Sequence, residues 1–151
     1  RIGSAYAMAK LGKIDALCKG LQSERENIRR AAAYGLATLS GHLAETAVPL
    51  LLELCESAAK STRKYASFAL GEMAPLSKSV TKTLVKLLLN DESAYVRHCA
   101  GGALGCCGIR ALARNQGLDN LSTVLEAFVQ SLDIEENRYA CFVRWFLRPC
   151  L

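Results

Sequence analysis

The residues able to do chemistry in this chain are few and scattered. Two histidines, His42 and His98, are the only imidazoles available as acid, base or metal ligand. His42 follows Ser40-Gly41 and reads as a solvated loop residue; His98 follows Arg97 and reads as an exposed helix residue. No Ser/His/Asp order, nucleophile elbow or Walker-type glycine loop occurs. Gly101-Gly102 reads as a site of close helix packing and not as a phosphate cradle. Catalysis needs titratable groups that converge in one pocket. No catalytic residue, metal ligand or cofactor is therefore expected.

The seven cysteines are Cys18, Cys55, Cys99, Cys106, Cys107, Cys141 and Cys150. Most fall inside apolar helical patterns, where cysteine behaves as a small hydrophobe. No CxxC pair occurs, so neither a zinc ribbon nor a thioredoxin-type motif is indicated. Cys106-Cys107 are the candidates for reactive thiols, but their apolar surroundings and the want of a local activating cation favour inert core residues. Buried, reduced thiols fit an intracellular, cytoplasmic setting.

The arginines carry a stronger signal. Arg29, Arg63, Arg97 and Arg138 follow one another at intervals of 34, 34 and 41 residues. Three positions after each stands a small residue: Ala32, Ala66, Ala100, Cys141. Six positions after come Gly35, Ala69, Ala103 and then Arg144; seven after come Leu36, Leu70, Leu104 and Trp145. Such offsets share one helix face, so each arginine opens a helix with a small-residue stripe and a leucine. Arg1, with Ser4, Ala7 and Met8, repeats the pattern loosely.

A second amphipathic segment precedes each arginine, roughly Lys13 to Leu21, Ala47 to Cys55, Thr81 to Leu89 and Leu118 to Leu132. Pro49 suits a helix start. Ser23 with Glu26, and Asp133 with Glu136, have capping-box spacing. Gly12, Gly41 and Gly108 fall where the arginine helices should end. A helix pair cannot bury both its faces alone, and stacking supplies the core. The composition agrees: 51% of the residues are apolar, 22% are charged and only three are proline. A globular helical bundle with accidental similarity is the alternative.

The segment from Asp91 through Val96-Arg97, Ala100 and Ala103-Leu104-Gly105 resembles a HEAT repeat of the phycobilin-lyase type. Arg63 through Gly71 is similar in its second half, and Arg29 through Ala37 more loosely. Tetratricopeptide landmarks are missing, and armadillo repeats run longer. The resemblance implies an all-α, right-handed α-α superhelix, a solenoid of stacked HEAT-like helix pairs. The expected organisation is a partial repeat at 1–12, regular repeats at 13–41, 42–75 and 76–108, and a longer, degenerate repeat at 109–151, as a piece of a longer chain. It also implies an inter-repeat ladder of Arg29, Arg63, Asp91, Arg97 and Arg138, in which Asp91 and Arg97 are the one pair present at the usual spacing. The HEAT-like deoxyhypusine hydroxylases need several His-Glu pairs to hold two irons, and no such pair occurs.

One position after each ladder arginine stand Arg30, Lys64, His98 and Tyr139. Stacking sets these in a row suited to an acidic peptide or a phosphate backbone; a solvated polar edge is the other reading. Tyr34, Tyr65 and Phe68 are the aromatics that would line a groove or simply pack. A second basic group, Arg110, Arg114, Arg138, Arg144 and Arg148, is interrupted by Asp133, Glu135 and Glu136. The aromatics interleaved with it, Tyr139, Phe142, Trp145 and Phe146, read as a terminal core or an interface. The net charge of +5 permits an acidic partner without requiring one. The function expected is a non-catalytic scaffold that binds a protein or peptide on the arginine-helix face. The alternatives are a phycobilin lyase-like chromophore-binding enzyme or chaperone and, more weakly, a nucleic-acid binder. No apolar run is long enough to span a membrane.

Overall fold

The computed structural model describes residues 2–116 and 118–134. Eight α-helices are formed among these residues: α1 (Ile2–Lys10), α2 (Ile14–Leu21), α3 (Glu26–Ala37), α4 (Gly41–Leu54), α5 (Lys60–Met73), α6 (Lys78–Asn90), α7 (Ala94–Arg114) and α8 (Leu121–Ile134), with a 3-10 turn at Leu118–Asn120 before the last. They make two layers. The arginine helices stack in chain order, α1 on α3, α3 on α5 and α5 on α7. The intervening helices form the second layer, each against its neighbours in the first, as α2 on α3, α4 on α5 and α6 on α7. The architecture is the helical solenoid that the spacing implies.

Burial follows the register. Ala32, Ala66 and Ala100 are buried, and the leucines seven positions after the arginines, Leu36, Leu70 and Leu104, are fully enclosed. Leu17, Leu21, Leu51, Val80 and Leu84 close the core from the second layer. The small-residue stripe brings backbones together. A Cβ on Gly71 of α5 would lie 2.6 Å from the Cα of Ala103 and 2.7 Å from its Cβ on α7, closer than such atoms approach. Only glycine there permits this separation of the two helices.

Several local expectations are corrected. The α3 N-terminus is not a capping box: Arg25 is the cap residue, and the Ser23 hydroxyl instead accepts from the Arg25 N–H at 3.3 Å, closing a Ser turn. Pro49 lies inside α4, because that helix starts at Gly41 and runs well ahead of the Leu-rich segment. The proline removes the hydrogen bond that position would give to the fourth residue before it. His42 consequently sits in the first turn of α4, exposed, 3.9 Å from Glu45. Gly12 does follow α1 in a left-handed conformation, at φ +66°. Gly108 ends nothing: it is buried within α7, which continues to Arg114 and stops at Asn115 in the left-handed region. The lengthened fourth interval therefore begins as extra helix. The Asp133–Glu136 box, Arg138, Tyr139, Cys141, Arg144, Trp145 and the other expectations beyond Ile134 lie outside the described residues.

Candidate functional site

Each ladder arginine in the described chain stands in the first turn of its helix and folds back on the connection before it. Arg29 Nη1 donates to the carbonyls of Ser23 (2.6 Å) and Glu24 (2.8 Å). Arg63 Nη1 donates to those of Ser57 (3.0 Å) and Ala58 (2.9 Å), and Arg97 Nη1 to that of Asp91 (2.7 Å). The same guanidinium edge thus closes three successive connections. Positions 23, 57 and 91 also share a turn: Ser23 Oγ, Ser57 Oγ and Asp91 Oδ1 accept from the N–H two residues on, at 3.3, 3.3 and 2.9 Å.

Among the described residues a rung joins the pairs at Arg63 and Asp91. Arg63 Nε donates to Asp91 Oδ2 at 2.7 Å and Nη2 to Oδ1 at 3.0 Å, a two-point pairing in which the Asp91 side chain is only 4% exposed. Glu92 adds a third contact at 3.2 Å. Burial pushes the Asp91 carboxyl up, but the hydrogen bonds from Arg63 and the Ser93 N–H, with the charges of Arg63 and Arg97, hold it below its ordinary value. The Asp91 carboxylate therefore serves the preceding arginine, and its backbone carbonyl serves Arg97.

The expected polar row divides. Arg30 of α3 and Lys64 of α5 come together on the rim of an open groove of about 300 Å³, whose wall is Glu26, Ala33, Tyr34, Tyr65, Phe68 and Cys99. Tyr34 and Phe68 meet edge-to-face with centroids 5.3 Å apart. The Lys64 ammonium lies 4.9 Å over the Tyr65 ring, and the Tyr65 hydroxyl donates to Glu26 at 3.2 Å. His98 is exposed on α7, outside the groove lining. Cys99, which the residue types alone did not single out, contributes the α7 wall. Burial raises its thiol above the ordinary range.

The second basic group is partly structural. Arg110 Nη2 donates to the carbonyls of Gly71 and, at 2.9 Å, of Ala74, capping the end of α5. It also stands 3.4 Å from the Cys107 thiol, so a cation is in fact adjacent there. Burial outweighs it and pushes Cys107 up to about 11. Cys18 and Cys55 are raised likewise, to about 11 and about 12, by burial and then by neighbouring carboxylates. These thiols stay protonated near neutrality. Among the described residues no group of three or more His, Cys, Asp or Glu side chains could hold a metal ion, and no helix is long and apolar enough to cross a membrane.

No match to a curated protein is found. Residues 28–57, which run from the first turn of α3 into the α4–α5 connection, match the PBS lyase HEAT-like repeat family. The same arginine register recurs in the helix pairs after it, so the described chain is a helical-repeat solenoid that carries a HEAT-like repeat.

Proposed function

We propose that the chain is a non-catalytic binding scaffold whose α3–α5 groove receives an acidic segment of a protein partner. The observation that carries this reading is the groove itself: two cationic side chains, Arg30 and Lys64, stand over a wall of Tyr34, Tyr65 and Phe68. Tyr34 remains 46% exposed although it packs against Phe68, which leaves aromatic surface for a partner's apolar side chain. Aromatic anchors flanked by cations are suited to peptides that alternate acidic and apolar residues.

The test uses a labelled peptide of alternating Glu and Phe and the wild-type protein. Binding should shift the resonances of Tyr34, Tyr65 and Phe68, and Arg30→Glu with Lys64→Glu should weaken it at least tenfold with helical circular dichroism unchanged. Equal binding by the double variant removes the groove as the site. The matched repeat family favours a second reading, a phycobilin lyase-type chromophore binder. Phycocyanobilin whose absorption shifts on mixing, with the shift lost in Tyr34→Ala, would favour that reading over the scaffold.

A further inference from the structure

Among the described residues the ladder shows a complete rung from Arg63 to Asp91, and the place where the preceding rung would fall is specific. Arg63 reaches a carboxylate 28 positions further on, at Asp91. The residue 28 positions after Arg29 is Ser57. The two sites match in their backbone contacts, with Ala58 standing where Glu92 adds its contact to Arg63. Arg29 and Arg63 cap their own connections with the same nitrogen. Ser57 and Asp91 make the same turn to the N–H two residues on. The α4–α5 connection also lies beside the α2–α3 connection, since the Thr62 hydroxyl of α5 donates to the Leu21 carbonyl at the end of α2, at 3.2 Å. Where Arg63 Nε meets Asp91, Arg29 Nε is buried with no hydrogen-bond partner among the described residues. A serine hydroxyl is shorter than a carboxylate and is engaged with its own Ala59 N–H.

We propose that Ser57 is a phosphorylation-responsive rung: a phosphoryl group on its Oγ takes, toward Arg29, the place that the Asp91 carboxylate holds toward Arg63. Phosphorylation adds about two negative charges and three acceptor oxygens, and a guanidinium can meet them with two parallel N–H bonds. The open groove beside Ser57 holds the cations Arg63 and Lys86 and the carboxylates Glu56, Asp91 and Glu92, of which Asp91 and Glu92 are paired with Arg63. Glu56 beside it is already paired with Lys86 at 2.7 Å, which limits repulsion. Ser57 lies outside the helices, between exposed Glu56 and Ala58, where a protein kinase can reach the hydroxyl. In that transfer the Ser57 oxygen bonds to the γ-phosphorus of a nucleoside triphosphate. The bond to the departing diphosphate breaks with its electron pair, and the hydroxyl proton goes to the kinase's base. The consequence for the solenoid is a tie between α3 and the α4–α5 connection that the unmodified serine does not make.

The experiment installs phosphoserine at position 57 during translation and compares thermal midpoint and the Arg29 Nε–H resonance with the unmodified protein. The expected result is a midpoint raised by about 3 °C and a displaced, slowly exchanging Nε–H signal. Ser57→Asp should give part of the gain, and Arg29→Lys should abolish it. An unmoved or lowered midpoint with an unmoved Nε–H signal overturns the proposal, and so does a gain that persists in Arg29→Lys. If Arg29→Lys does not fold, the Nε–H signal in the phosphorylated wild-type background decides alone.

Discussion

Arg63 shows how much one residue carries when its partners come from two connections. Its guanidinium caps the turn before its own helix and pairs with Asp91 of the next. The arginine positions were legible from spacing alone, while their ladder role came only as what the resemblance to HEAT repeats implies. The partner of Asp91 was less so. In sequence the nearest arginine at ladder spacing is Arg97, six residues on; in space the carboxylate faces Arg63, because stacking sets successive connections side by side. Asp91→Asn keeps the backbone carbonyl for Arg97 and removes the charge, and is expected to cost about 2 kcal/mol, the scale of a hydrogen bond to a charged group. The pH dependence has a definite sign. Asp91 is held below its ordinary 3.8 in the folded protein, so its contribution is complete above that value and is lost as pH falls through the lower folded value. Urea denaturation at pH 7 and pH 2.5 should show a smaller difference for Asp91→Asn than for wild type; an equal difference rules out the carboxylate as a source of acid sensitivity.

At the scale of the element, the close approach of α5 and α7 is the feature most exposed to a single substitution. Alanine normally favours a helix over glycine by about 1 kcal/mol. At Gly71 the added methyl would meet the backbone and side chain of Ala103 at 2.6–2.7 Å. Separating two packed helices costs about 1–3 kcal/mol, so Gly71→Ala is expected to destabilise by about 1 kcal/mol net. Ala103→Gly in the same protein should relieve only part of this, since the Ala103 Cα remains in the way. A Gly71→Ala protein as stable as wild type would mean that the helices are not so closely set. The small-residue stripe announced this packing, but element boundaries were harder to read. Gly108 looked like a stop because glycine often ends a helix; it is instead buried inside α7, and Asn115 supplies the left-handed stop. Pro49 looked like a start because the Leu-rich stretch begins near it, although Gly41-His42-Leu43-Ala44 had already opened α4. The groove was partly legible in the same way: the row offset named Arg30 and Lys64, while Cys99 stands one offset further on, where Tyr65 stands in the preceding repeat.

For the whole molecule, the order of contacts is the order of the chain. α1 packs on α2 and α3, and α8 packs on α6, α7 and the 3-10 turn before it, so the two ends of the described stack share no packed neighbour. Stability in such an array is a sum of unit terms and nearest-neighbour interfaces. A lesion should then be felt locally. Asp91→Asn weakens a contact between α5 and the α6–α7 connection, leaving the α1–α2–α3 contacts untouched. In native-state hydrogen exchange, the amides of α6 and α7 should lose protection by about the full cost of the substitution. Those of α2 should lose much less. A uniform loss across α2 through α8 would mean that the stack opens only as one cooperative unit. The same experiment locates any effect of charge at Ser57, which acts one repeat earlier: its gain should appear first in α3 and α5, where the Arg29 tie begins.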